Sequence, residues 1–279
     1  MLLAIDVGNT ETVVGLYETE AGADGADGAD GQADRDREPA AGLACHWRLS
    51  TVSSRTPDEH AMVLTQLLDL EGLDIAEVVS GIAISSSSPE TTSQLRRMAS
   101  RWFSASPCVV LGPGVRTGMP IRYDNPKEVG ADRIADAVGA FELYGGPVVV
   151  VDLGTATTFD AISADGEYLG GAIAPGVAIS LEALYGHASA LRAVELVEPR
   201  EVIGRSTEES IQSGVLYGYA GLVDAMCARF AGVLGEPEVV ATGGLASLIA
   251  PYTSSVAHVE PWLTLHGLRI IYDRNGGQA

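Results

Sequence analysis

The sequence predicts an α/β protein built of two like halves. Two observations carry that prediction. First, Leu2-Leu3-Ala4-Ile5 runs into Asp6-Val7-Gly8-Asn9-Thr10, and Val148-Val149-Val150-Val151 runs into Asp152-Leu153-Gly154-Thr155-Ala156-Thr157-Thr158. Each is an apolar strand that ends in Asp, one apolar residue, Gly and hydroxyl-rich residues. Each then resumes, as Val13-Val14-Gly15-Leu16-Tyr17 and as Phe159-Asp160-Ala161-Ile162. Second, strand and helix patterns mix in both halves of the 279 residues, as an α/β class requires. Each turn reads as a hairpin that can hold a phosphate. Its Gly lets the backbone come close, turn amides and hydroxyls donate to anionic oxygens, and the Asp can hold a cation directly or through water. The duplication suggests two like domains facing each other over a nucleotide. We place them at residues 1–145 and 146–279.

Residues 1–17 read as strand, turn and strand. Residues 21–42, with Gly-Ala-Asp nearly three times over, hold no aromatic and no β-branched residue. They cannot bury a core and read as a disordered acidic insert in a hairpin loop. Cys45–Leu49 is a third strand. Pro57–Leu70 has Met62, Leu64, Leu67 and Leu68 near helical spacing. Val78–Ser85 is a short apolar strand ending in serines, and Pro89–Phe103 a helix with Pro in its first turn. The serines Ser85–Ser88 read as a polar strand-to-helix connection rather than a phosphate loop. Asn125-Pro126-Lys127-Glu128 is a helix start, with Asn as cap. That helix runs, with a break at Gly130, towards Tyr144 and stops at Gly145-Gly146. In the second half, Gly170–Gly176 reads as a Gly-rich turn, Thr207–Leu234 as a long helix and Glu238–Thr242 as a strand. Gly243-Gly244 is a turn and Leu245–Ile249 a short helix.

The net charge of −20 argues against nucleic-acid and anionic-membrane partners, which favour basic surfaces. Positions 20–38 carry seven acids and two arginines, a local −5, so most of the charge lies elsewhere. Cys45, Cys108 and Cys227 show neither a disulfide framework nor metal spacing, which fits a reducing cytoplasm. No signal peptide and no stretch long enough to span a bilayer is expected. Among phosphate-binding designs, a P-loop needs Gly-Lys-Ser or Gly-Lys-Thr. The single lysine, Lys127, follows Pro126 and precedes Glu128. No G-x-G-x-x-G joins a strand to a helix, and the five histidines are isolated. The paired Asp-x-Gly turns remain.

These turns, with Ala241-Thr242-Gly243-Gly244, resemble the acetate kinase, sugar kinase, Hsp70 and actin superfamily. Within it, four stretches resemble type III pantothenate kinases: Asp6–Thr10, Gly130-Ala131-Asp132-Arg133, Asp152–Thr158 and Gly170–Gly176. The resemblance covers nearly the whole chain outside the acidic insert. Ala190-Leu191-Arg192 departs from it, standing where a Lys-Leu-Pro-like stretch is expected. The resemblance implies two actin/ribonuclease-H-like domains with mixed sheets flanked by helices and the nucleotide in the cleft between them. It implies phosphorylation of the primary alcohol of pantothenate by ATP, the first step of coenzyme A synthesis. ATP would meet Asp6, Val7, Gly8, Asn9, Thr10, Glu11, Thr12, Val13 and Thr155, with Asp6 anchoring Mg²⁺, directly or through water.

Asp132, by itself a helix-surface acid beside an arginine, is by resemblance the catalytic base that orients and deprotonates the hydroxyl. Asp136, one turn on, has no such support. Arg133 fits a clamp for the substrate carboxylate. The resemblance puts Tyr123, Gly130, Ala131, Asp132, Arg133 and Thr207 against pantothenate. Tyr123 alone reads as a packed aromatic, and Thr207 alone as a helix N-cap. Asp152 aligns with a monovalent-cation position, for K⁺ or NH₄⁺. A second Mg²⁺ anchor is its alternative. Gly243 and Gly244 would lie near adenosine. A homodimer is expected. Two rival functions stay open: a same-fold kinase for another small alcohol or acid, and a nucleotide-binding regulatory protein without turnover.

Overall fold

The computed structural model describes residues 1–18, 42–188 and 190–276. The acidic insert expected at 21–42 lies, but for Gly42, outside the described residues. The chain divides into two units, Met1–Leu143 with Trp262–Ala279, and Tyr144–Pro261.

The first unit holds β1 (Leu2–Val7), β2 (Glu11–Tyr17), β3 (Leu43–Ser50), β4 (Gly81–Ser86) and β5 (Cys108–Val110) in the order β3-β2-β1-β4-β5. β1, β2 and β3 are antiparallel neighbours, whereas β4 and β5 run parallel to β1. One face of this sheet packs Leu3, Ile5, Val7, Ile82 and Ile84 against α1 (Pro57–Leu70) and α3 (Pro89–Trp102). α1 begins on a full capping box, Thr56 with Glu59. It buries Ala61, Leu64 and Leu68, while Met62, expected in the apolar stripe, is exposed. A short α2 (Ile75–Val78) takes the start of the expected Val78–Ser85 strand, because Asp74 caps it through the Ala76 N–H.

The opposite face carries four small residues, Ala4, Gly15, Gly81 and Ala83, beside the buried Leu2 and Tyr17, and α8 (Leu263–Arg274) lies on it. A Cβ on Gly15 would stand 2.8 Å from Leu265, and one on Gly81 1.9 Å from the Tyr272 hydroxyl. α8 in turn presses on α4 (Ala131–Tyr144), where Gly267 meets the Ala135 carbonyl and Gly139 meets Leu263. The expected second domain, 146–279, therefore differs from the observed unit at its end. α8 buries Leu265, Leu268, Ile271 and Tyr272 and clusters with the first unit. Ahead of α4, Asn125 does accept the Lys127 N–H, but only a 3₁₀ turn, Pro126–Glu128, forms there. Val129 is extended and the α-helix starts at Ala131, just past the expected break at Gly130.

The second unit repeats the plan. β6 (Val148–Leu153), β7 (Ala156–Ile162), β8 (Tyr168–Pro175), β9 (Glu238–Thr242) and β10 (His258–Val259) lie in the order β10-β9-β6-β7-β8. β6, β7 and β8 are antiparallel neighbours, with β9 parallel to β6 and β10 parallel to β9. Both sheets thus have the mixed arrangement expected of ribonuclease-H-like units. α6 (Thr207–Leu234) covers Val149, Val151, Leu153 and Phe159 with Leu216, Ala220 and Val223. α5 (Val177–His187) follows β8, and α7 (Ala246–Ile249) follows β9. The Gly-rich stretch 170–176 is a correction. It forms most of β8 rather than a turn, because β7 supplies a full antiparallel partner from Ala156 to Ile162. Leu169 is the extra residue at the ladder's register shift, and the neighbouring Gly170 takes φ +116°.

The Gly267 contact makes a prediction. Gly267→Ala puts a Cβ 1.9 Å from the Ala135 carbonyl oxygen, which only a shift of α8 or α4 relieves. We expect a loss of about 2 kcal/mol or more in urea unfolding. Gly232→Ala, inside α6 with nothing within 4 Å, should gain up to about 1 kcal/mol. A Gly267→Ala midpoint equal to the parent's would refute the close crossing.

Candidate active site

In the first unit the site begins where β1 ends. Asp6 lies opposite Ser85 in the parallel ladder and opposite Val13 in the antiparallel one. Burial and the nearby Asp132 charge push its carboxyl up to about 7, and the Ser85 hydroxyl holds it back in part. Its Oδ1 is buried and has no hydrogen-bond partner. A cation is the natural partner for such an atom. Among the described residues no group of three His, Cys, Asp or Glu could hold a metal alone. A cation at Asp6 would complete its shell with water and phosphate oxygens.

The turn after Asp6 is closed by the Gly8 N–H, which donates to the Glu11 carbonyl at 2.9 Å. A Cβ at residue 8 would stand 3.0 Å from that oxygen, so glycine suits the closure. The Val7 side chain is buried in the core, so it can meet a ligand only through its backbone. Glu11 pairs with Arg48 at 3.0 Å, and the Thr12 hydroxyl is 2.9 Å from that of Thr51.

Asp132 sits in the first turn of α4. Its Oδ1 accepts the Arg133 N–H at 2.8 Å, which fixes the carboxylate and leaves Oδ2 for another donor. A Cβ on Gly130 would stand 2.3 Å from Oδ1, so the glycine makes room for that folded-back carboxylate. Arg133 is only 9% exposed, and Asp136 is buried rather than solvated. Tyr123 is half-buried.

In the second unit Asp152 ends β6 between Thr158 of β7 and Thr242 of β9. A Cβ on Gly243, which has φ +92°, would stand 2.3 Å from Asp152 Oδ1, and one on Gly154 3.2 Å from it. A Cβ on Gly176 would stand 2.2 Å from the Thr155 carbonyl oxygen. Three separated stretches, at 152–155, at 176 and at 242–243, thus meet around one carboxylate and one turn. Thr207 does not cap α6. Ser206 does, accepting the Glu209 N–H at 3.2 Å. Thr207 instead lines an open groove of about 860 Å³ with Ser180, Leu184, Arg205 and Ile211.

The structure therefore brings Asp6–Thr10 and Gly130–Arg133 together in the first unit. Asp152, Thr155 and Gly243 come together in the second, with Thr207 elsewhere in that unit. Sequence reasoning missed Ser85 and Thr51. Ser85 carried a usable signal, since it ends a strand parallel to β1 and sites gather at carboxyl ends of such strands. Thr51 follows a strand with no motif around it.

A family model described as type III pantothenate kinase matches residues 2–229. A protein of Anaeromyxobacter sp. (strain Fw109-5) with the name "Type III pantothenate kinase" is 51% identical over 276 residues, 99% of this chain and 100% of its own. A protein of the same name from Myxococcus xanthus (strain DK1622) is 50% identical over 276 residues, 99% of each chain. Among solved structures, a Baf family protein from Campylobacter jejuni matches at TM-score 0.57 with 20% identity over 98% of both chains, which shows the fold.

The raised Asp6 pKa ties stability to pH. Between about 4 and 7 the carboxyl is protonated in the folded chain and ionised in the unfolded one, so its contribution falls as pH rises. His266, held down to about 3 by burial and Arg269, has the opposite slope below pH 6.5. The difference between parent and Asp6→Asn isolates Asp6. Without ligands, the variant should gain on the parent as pH goes from 4 to 8, read from urea midpoints. A difference independent of pH would refute the buried, shifted carboxyl.

Proposed function

We propose a residue-level mechanism on one premise: the chain belongs to the type III pantothenate kinase family. Its activity is accordingly the ATP-dependent phosphorylation of pantothenate, which feeds coenzyme A synthesis. One observation carries the assignment of roles. Asp132 and Asp6 stand close enough in the first unit for the charge of one to raise the pKa of the other. One carboxylate can then serve the alcohol and the other the nucleotide.

Asp132 Oδ2 accepts the hydrogen of the primary alcohol, while the Arg133 N–H holds Oδ1. The alcohol oxygen attacks the γ-phosphorus in line. The bond from phosphorus to the β,γ-bridging oxygen breaks, ADP leaves, and the proton rests on Asp132. Asp6 holds the divalent cation of ATP, and the turn from Asp6 to Val13 meets the phosphates. Thr155 meets ATP from the second turn, and Gly243-Gly244 the adenosine. Asp152 holds K⁺ or NH₄⁺. These cations, when bound, neutralise charge that builds on the phosphates, a task that lysine performs in other phosphate sites. Arg133, Tyr123, Gly130, Ala131 and Thr207 bind pantothenate, with the Arg133 guanidinium on its carboxylate.

We place the enzyme in the cytoplasm, a reading supported by three free cysteines. Among the described residues no helix is long and apolar enough to cross a membrane. A homodimer is supported by exposed Leu169 and Ile173 on the edge strand β8 and by exposed Ile179 and Leu184 on α5.

Two predictions test these roles. ADP release should require pantothenate and K⁺ or NH₄⁺, and Asp132→Asn should lower kcat by about 10²–10⁴. Equal rates in Na⁺ and K⁺ would sink the cation role, and a variant within tenfold of the parent would remove Asp132 as base. In sedimentation the parent should run as a dimer and Ile173→Asp as a monomer. A monomeric parent would end the dimer reading.

A further inference from the structure

We propose that Thr51 is a positioning residue for the first phosphate turn, acting on the Gly8 peptide to present the turn's amides to ATP. No motif marks Thr51, and its reach across 43 residues to the turn emerges only in the folded chain. It sits just past β3 and makes two hydrogen bonds to the turn and one to Thr12 at the start of β2. Its Oγ1 donates to the Gly8 carbonyl at 2.8 Å. Its N–H donates to the Thr10 carbonyl at 2.9 Å. Its Oγ1 also lies 2.9 Å from Thr12 Oγ1. A threonine hydroxyl has one proton, and that of Thr51 goes to Gly8. Thr12 is therefore the donor to Thr51, and the order is Thr12 to Thr51 to Gly8.

The consequence follows from peptide geometry. In a trans peptide the C=O and the next N–H point to opposite sides. Drawing the Gly8 oxygen to Thr51 turns the Asn9 N–H away from Thr51. A carbonyl left facing the phosphates would repel them, whereas an N–H donates to them. On the other flank Ser87 holds the Val7 carbonyl, through its N–H at 3.1 Å and its Oγ at 3.2 Å. Three of the turn's carbonyls are thus taken from outside, those of Val7, Gly8 and Thr10. The turn is pre-set for an anion, and little of the binding energy of ATP goes into reshaping it.

The inference rests on the reading of residues 6–13 as the ATP segment. It is tested with steady-state kinetics of the full chain, varying ATP and pantothenate separately. Thr51→Val removes the hydroxyl and keeps the shape. It should raise KM for ATP about tenfold, with KM for pantothenate unchanged and kcat within threefold. Thr51→Ser restores the hydroxyl and should stay within twofold of the parent in every constant. If Thr51→Val does not fold, Thr51→Cys, with a weak donor of similar size, should show a smaller rise confined to ATP. An unchanged KM for ATP in the folded variant would overturn the inference. So would equal losses in the Val and Ser variants, or matching rises for both substrates, which mark a general packing role. A parent without pantothenate-dependent ADP formation would instead refute the reading on which the inference stands.

Discussion

The site depends on holding a carboxylate at the end of a buried central strand. β1 and β6 are each covered on both faces, and Leu2–Ile5 and Val148–Val151 have almost no exposure. An acid at the end of such a strand loses water on most sides and gains few partners. In the first unit the cost appears as the raised Asp6 pKa and the orphaned Oδ1. The neighbouring Asp132 adds to it. Such a pair is a poor way to stabilise a fold and a good way to attract a cation bound to phosphate. Stability and chemistry pull against each other at Asp6, and the surrounding sheet keeps it in place.

Glycine provides the space around these acids. At Gly130 and Gly243 a side chain would fall 2.3 Å from an Asp oxygen, and at Gly176 one would fall 2.2 Å from a turn carbonyl. Of these only Gly243 has a positive φ, so at the other two close approach decides rather than backbone freedom. The same logic works in the first unit's packing. Gly15, Gly81 and Gly267 let α8 lie close on the sheet and on α4. The helix that carries Asp132 is therefore positioned by a segment more than a hundred residues later in the chain.

Much of the local structure was legible because its causes are local. Apolar runs give the central strands, Asp-x-Gly gives the hairpin turns, and Pro89 marks the first turn of its helix. Thr207 lost the cap of α6 to its neighbour Ser206, while the other misreadings turn on chain farther away. Glycine at 170–176 looks like a turn until β7 offers a ladder. Asn125 caps a turn as well as a helix, and only the chain beyond Gly130 decides which. α8 has an ordinary helical pattern, but its partner lies at the other end of the sequence.

Asp132 stands out only through the family resemblance, whereas the sequence by itself determined the duplicated strand–turn plan, the absence of a lysine-based phosphate site and the two turn acids Asp6 and Asp152. Those features rest on residue identity and on spacings of a few positions, which the linear chain displays directly. The tertiary structure alone decided that Asp132 shares an environment with Asp6, that Gly243 and Gly176 close around the second turn, and that Thr51 holds the Gly8 carbonyl. Each of these is a contact between segments far apart in the chain. Such contacts are set by sheet order and helix packing, and no local pattern of residues encodes which distant backbone atom will stand 3 Å away.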